Sequence, residues 1–139
     1  MLSGLGKFLI SRSVTTEMKY YPISLDLRGR RCLVVGGGKA ANKTVQALLH
    51  ANADLTVISP NVARVIKDYA GQKRLRHLKR SYREGDLKGY FLAYAATGVL
   101  EVDMLMAAEA AMEGVLLNVL KRSVLCSFLD PAFGRVSDH

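Results

Sequence analysis

Cysteine and histidine are scarce in this 139-residue chain, with two of the former and three of the latter. Cys32 and Cys126 lie far apart without a CxxC, and the histidines are scattered, so no metal-ligand spacing exists and no zinc site is expected. Both cysteines read as small buried hydrophobes in a reducing compartment rather than as a disulfide, which points to the cytoplasm. Uninterrupted apolar runs reach only a few residues, far short of the ~20 that cross a bilayer, so no membrane span is expected. Repeats, low-complexity tracts and internal linkers are lacking. Acidic residues are outnumbered, 12 Asp and Glu against 20 Lys and Arg, for a formal charge of +8. Such a field attracts nucleic acid, an anionic membrane or a polycarboxylate ligand, and does not choose among them.

What is present is an ordinary globular composition, 50% apolar and 23% charged, at a length that buries one core without disulfides or metal. The opening "MLSGLGKFLISRSVTTE" has Lys7 and Arg12 but no acid before Glu17. It lacks the apolar core and cleavage site of a secretory signal, so residues 1–19 are expected to be a disordered extension, with Met18 as an alternative start.

From Tyr20 onward, strand-length apolar runs alternate with runs of helical period. "RCLVVG" at 31–36 precedes Ala41, Val45, Leu48 and Leu49, which share one helical face. "LTVISP" at 55–60 precedes a second face at Val62, Val65, Ile66 and Tyr69, with Gly71 as the expected stop. "LRHLKRSY" at 75–82 alternates like a half-exposed strand, and "YFLAYAAT" at 90–97 is apolar throughout, like a central parallel strand. A helix from Glu101 to about Glu113 closes at Gly114. A fifth strand, "VLLNVL", occupies 115–120, and a short sixth is placed at "CSFLDPA". Strands separated by helices pair in parallel with right-handed crossovers, giving an α/β doubly wound sheet in a single domain. Ligands in such sheets sit outside the carboxyl ends of the strands, here Gly36–Gly38, Ile58–Asn61, Ala95–Gly98 and Asn118–Lys121.

Gly36-x-Gly38-x-x-Ala41 fits the dinucleotide pattern of a Rossmann-type unit: a tight turn, close backbone approach to a pyrophosphate, and close helix packing. The helix amino end adds unpaired N–H groups and a positive dipole. Lys39 does not make this a P-loop, because Ala40 stands where Ser or Thr is required. The acid that usually grips a ribose 2′-hydroxyl is also missing. Ser59, Pro60 and Asn61 occupy that strand end and Asp54 lies at the other, so the rule does not decide between NAD and NADP.

"YYPISLDLRGRRCLVVGGGKAANKTVQALL", "ADLTVISP", "GDLKGYFLAYAAT" and "NVLKRSVLCSF", in that order, resemble the amino-terminal domain of the sirohaem synthase family, the NAD-dependent precorrin-2 dehydrogenases. The resemblance implies an NAD-binding Rossmann-type domain over 20–133 and oxidation of precorrin-2 to sirohydrochlorin; many members also insert iron into the product. It implies cofactor contacts from Gly36, Gly38, Lys39, Ala40, Ser59, Pro60, Asn61, Ala96 and Thr97. A tetrapyrrole with many carboxylates gives the basic residues a use, with Arg28, Arg30 and Arg31, or the run from Lys73 to Arg83, helping to attract it. The run also reads as a solvated strand edge.

The chain departs from the family pattern in three places. Gly98 replaces the Asp of Ala-Ala-Thr-Asp. Lys121 stands where the family carries the acid assigned to proton transfer, so no catalytic residue is assigned. A Lys with a pKa of ~10.4 accepts no proton at neutral pH unless burial or a second cation, such as Arg122, lowers that value. Asn118, Lys121 and Arg122 are instead expected to bind a substrate carboxylate or cofactor phosphates. Residues 134–139 form a divergent tail where the family continues into a homodimer segment and a helical domain. The chain is therefore expected to be truncated, without chelatase activity, and Asp130, Asp138 and His139 receive no role.

Three functions compete on these residues: an NAD-dependent precorrin-2 dehydrogenase, a non-catalytic dinucleotide-binding module, and a nucleic-acid binder using the basic run. The last has no helix-turn-helix or stacking motif in its favour.

Overall fold

The computed structural model describes residues 20–130. The expectations for residues 1–19, for the 134–139 tail and for Asp138 and His139 lie outside them. The described residues form β1 (Arg31–Val35), α1 (Lys39–His50), β2 (Asp54–Ile58), α2 (Arg64–Gly71), β3 (Arg76–Leu78), β4 (Leu92–Ala95), α3 (Leu100–Glu113), β5 (Leu116–Val119) and a 3₁₀ turn at Ser123–Leu125. All strand pairs are parallel and the order is β3-β2-β1-β4-β5. This is the expected doubly wound sheet, and its strand order reverses at β1, between β2 and β4.

Strand alternation splits the core into two layers. Cys32 and Val34 of β1, with Leu55, Val57, Leu92 and Tyr94, face Ala41, Val45, Leu48, Leu49 and Ile66 of α1 and α2. Leu33 and Val35, with Ile58, Ala93, Ala95, Leu117 and Val119, face Met106 and Ala110 of α3. Each large aliphatic chain so enclosed contributes about 1.5–3 kcal/mol, so the two layers hold the strand ends in fixed register. Val35 lies level with both Ile58 and Ala95. The loops after β1, β2 and β4 therefore emerge side by side.

Several elements are shorter than the periodicity implies. The strand expected over 75–82 is only Arg76–Leu78, because it pairs with β2 alone and the N–H of Arg80 turns back to the Leu78 carbonyl. No strand forms over Cys126–Asp130. That segment instead covers the edge of β5: the Ser127 N–H reaches the Leu117 carbonyl, and the Asn118 amide donates to the Phe128 carbonyl. Gly71 is the last residue of α2 rather than its stop; the left-handed residue beyond is Lys73, at φ 62°. Gly114, at φ 70°, ends α3 as expected.

No helix connects β3 to β4. A turn-rich loop over 79–91 covers that face, with Leu87 buried in the α3 layer. It is pinned by Arg80, whose guanidinium donates to both oxygens of Asp86 at 2.8 and 3.1 Å. Glu109 of α3 takes the Tyr82 hydroxyl and, at 2.8 Å, the Gly85 N–H. Among the described residues no helix is long and apolar enough to cross a membrane, and none of their His, Cys, Asp or Glu groups forms a metal-binding cluster.

Candidate dinucleotide site

At the carboxyl ends of β1, β2 and β4 lies a cleft of about 620 Å³, within the usual range for a small-ligand site. Its walls include Gly36, Gly37, Gly38, Ser59, Pro60, Asn61, Ala96 and Thr97. Seven of the nine expected cofactor contacts are thus gathered in one place. The other two, Lys39 and Ala40, open α1 and are exposed beside it, outside the lining.

The glycine triplet is shaped by what surrounds it. Gly36 sits at φ 123°, and a Cβ there would lie 2.5 Å from the Ala96 carbonyl oxygen. Gly37 is tighter still, with the Asn61 carbonyl oxygen 2.1 Å from its ideal Cβ. Its own carbonyl accepts the Ala63 N–H at 2.8 Å, so the turn after β2 is stapled to the glycine loop from both sides. Gly38 has no neighbour within 4 Å of an ideal Cβ and serves as the N-cap of α1. No side chain caps that helix and no acid lies in its first turn, so its leading N–H groups and dipole are open to an anion. The cradle fits a pyrophosphate.

The remaining side chains hold the loops in shape. The buried Ser59 hydroxyl donates to the Asn61 carbonyl at 2.6 Å, and the Ser59 carbonyl contacts the His77 ring at 2.8 Å. The Thr97 hydroxyl accepts the Val99 N–H at 3.0 Å, which sets the turn entering α3.

Gly37 falls within the expected strand end Gly36–Gly38 but occupies the variable place of the glycine pattern, so the motif alone assigns it no contact. Tyr82 follows β3, whose carboxyl end is not among the expected ligand positions. It is the one titratable side chain in the lining, and burial followed by the hydrogen bond to Glu109 pushes its hydroxyl pKa well up. It is therefore a neutral donor fixed to α3.

The three residues expected at the substrate do not line this cleft. Asn118 is buried with its amide committed to Phe128. The Arg122 guanidinium donates to Asp103 at 2.8 Å and approaches the Gly98 carbonyl at 3.5 Å. Asp103 is 1% exposed, so this Arg neutralises a buried carboxylate rather than projecting freely. Lys121 is exposed at φ 68°, a left-handed backbone that a Lys rarely adopts.

The basic residues are divided between the two ends of the sheet. Arg30 stacks on Phe91 and Arg31 on Tyr90 at the start of β1, away from the cleft. In the run, Arg74 stacks on Tyr69 and Arg76 pairs with Asp54 at the amino end of β3, while Lys79, Arg80 and Arg83 follow its carboxyl end.

Residues 23–132 match the family described as "Putative NAD(P)-binding". The chain belongs to that family. Among curated proteins it is similar to the siroheme synthase of Chromobacterium violaceum, 40% identical over 115 residues, which cover 83% of this chain and 24% of the relative. The siroheme synthase of Photobacterium profundum is 38% identical over the same shares of both. The chain thus spans about a quarter of the length of these relatives. A solved structure described as "SirC, precorrin-2 dehydrogenase" superposes with a TM-score of 0.59 at 34% identity, over 62% of this chain and 43% of that one. The resemblance to the sirohaem synthase family and the Rossmann-type fold both hold.

Proposed function

We infer that this chain is a precorrin-2 dehydrogenase-type domain of sirohaem biosynthesis that binds NAD in the glycine-lined cleft. The observation that carries the reading is the cradle: Gly36 and Gly37 hold positions where any side chain would strike the backbone of a neighbouring strand end, and an uncapped helix begins just beyond. NAD, when bound, supplies the acceptor for a hydride taken from precorrin-2. The protein's part is to hold the pyrophosphate at Gly36–Gly38 and the α1 terminus and to seat the adenosine side at Ser59, Pro60 and Asn61. Ala96 and Thr97 lie toward the reacting end. Asn118, Lys121 and Arg122 follow at the carboxyl end of β5, where Lys121 offers an exposed cation to a substrate carboxylate. A cytoplasmic setting suits the free thiols at Cys32 and Cys126.

A second reading rests on Lys121 itself. A lysine stands where the family carries its acid, so the chain would bind a dinucleotide without that carboxylate to turn it over. One experiment separates the two. The purified chain, the Lys121→Asp variant and an active family member as control are assayed for precorrin-2 oxidation with NAD, alongside calorimetric titration of NAD. Turnover by the unaltered chain supports the dehydrogenase. NAD binding without turnover, gained in Lys121→Asp, supports the silent module. Absence of NAD binding by a folded chain counts against both.

A further inference from the structure

A dinucleotide site that admits only NAD uses a carboxylate at the end of the second strand, which bonds the ribose hydroxyls and repels a 2′-phosphate. Here that position is Ser59, and its hydroxyl is already committed to the Asn61 carbonyl at 2.6 Å. No Asp or Glu lines the cleft. Three acids of the neighbouring segments are bound to arginines, Asp68 to Arg64 at 3.5 Å, Asp86 to Arg80 at 2.8 Å, and Asp54, at the far end of β2, to Arg76 at 3.2 Å, and Glu109 is taken up by the Tyr82 hydroxyl and the Gly85 N–H.

One cation next to this corner has no such partner. β3 runs beside β2, and the Ser59 N–H donates to the Leu78 carbonyl at 3.2 Å. Lys79 therefore leaves the sheet alongside Ser59 and Pro60. It is exposed, and it makes no ion pair among the described residues. Two residues later Ser81 is part of the cleft wall.

We propose that the cleft accepts dinucleotides with or without a 2′-phosphate, with Lys79 as the side chain that meets the phosphate. The proposal rests on the dinucleotide reading of the same cleft and adds its specificity: the corner that excludes NADP elsewhere holds a committed serine, no carboxylate and an unpaired ammonium. A phosphate placed there meets attraction from Lys79 and no fixed negative charge.

Calorimetric titration of the full chain with NAD and with NADP, at low and at moderate salt, tests it. NADP is expected to bind within about tenfold of NAD, and to weaken more than NAD as salt rises. Lys79→Ala is expected to weaken NADP about threefold more than NAD, the scale of one exposed charge pair. Asn61→Asp, which puts a carboxylate on the exposed cleft rim, is expected to weaken NADP about tenfold relative to NAD. NADP binding more than about a hundredfold weaker than NAD would overturn the proposal and leave the NAD site standing. Equal losses for both ligands in Lys79→Ala would also overturn it. Failure of both ligands to bind a chain that still melts cooperatively would sink the dinucleotide reading itself, and the proposal with it.

Discussion

The carbonyl oxygen of Asn61 lies 2.1 Å from where a Cβ on Gly37 would sit, closer than any real Cβ contact allows. A methyl group there must displace backbone, since the next atoms are Val62 Cα at 2.8 Å and Ser59 Oγ at 2.9 Å. Gly37→Ala should therefore cost about 1–3 kcal/mol, the usual range for overpacking, and remove dinucleotide binding by parting the glycine loop from the turn after β2. Gly38 is the internal control. With open space around it and a φ of −88°, Gly38→Ala should cost no more than about 1 kcal/mol, the scale of an N-cap preference. Thermal unfolding of the two variants checks the contrast in stability, where equal losses would mean that the crowding at Gly37 is relieved at no cost, and NAD titration checks the loss of binding in Gly37→Ala.

Lys121 stands at φ 68° without the freedom of glycine. The left-handed region costs an ordinary residue about 1 kcal/mol or more. Lys121→Gly should recover part of that cost and raise the melting temperature, and Lys121→Asn should do so less. A fall in melting temperature for both would mean that the Lys side chain contributes more than its backbone costs. Strain of this kind collects where function fixes a loop. That makes the lysine at the family's acid position a site to test for binding as well as for stability.

Apolar runs such as "CLVV" and "LAYA" made the strands legible because both faces of the sheet are covered, and the helix face from Ala41 to Leu49 followed from its spacing. Strand ends were less legible. Alternation through Ser81 and Tyr82 mimics an edge strand, but hydrogen bonding to β2 stops at Leu78, and periodicity cannot report where a neighbour ends. The glycine cradle was visible as a motif. The need for Gly37 was not, since it comes from Asn61, a residue in the turn after another strand. Arg122 misled for a related reason: sequence shows a cation beside a cation, while its partner Asp103 lies a helix and a strand away.

Asp86 gives stability a definite pH dependence. Burial raises its pKa, but the Arg80 guanidinium and the Arg83 N–H more than offset this and hold it below the ordinary value of 3.8. A carboxylate with a lowered folded pKa stabilises above its unfolded pKa and loses that contribution as pH falls through the folded one. Stability should thus drop below about pH 4. Asp86→Asn should be less stable at pH 7 yet show a shallower decline from pH 5 to pH 2. Parallel acid limbs in denaturant titrations of the two proteins would show that Asp86 is not linked to folding.

Asp103 and Arg122 join α3 to the loop after β5. The carboxylate is 1% exposed and its second oxygen has no hydrogen-bond partner, so its charge depends on the guanidinium. Removing only the cation, as in Arg122→Ala, leaves an uncompensated buried charge and should cost about 3 kcal/mol. Removing both, as in Asp103→Leu with Arg122→Met, should cost much less, because the desolvation of Asp103 disappears together with its partner. The same guanidinium approaches the Gly98 carbonyl at 3.5 Å, next to Thr97 of the cleft. The single variant should therefore also weaken NAD binding through the turn entering α3, while the double variant leaves that turn without its tether and does not restore binding. Chemical denaturation and NAD titration of the three proteins separate these effects. Recovery of stability without recovery of binding identifies Arg122 as a positioning residue for the cleft, and recovery of both assigns the pair to the core alone.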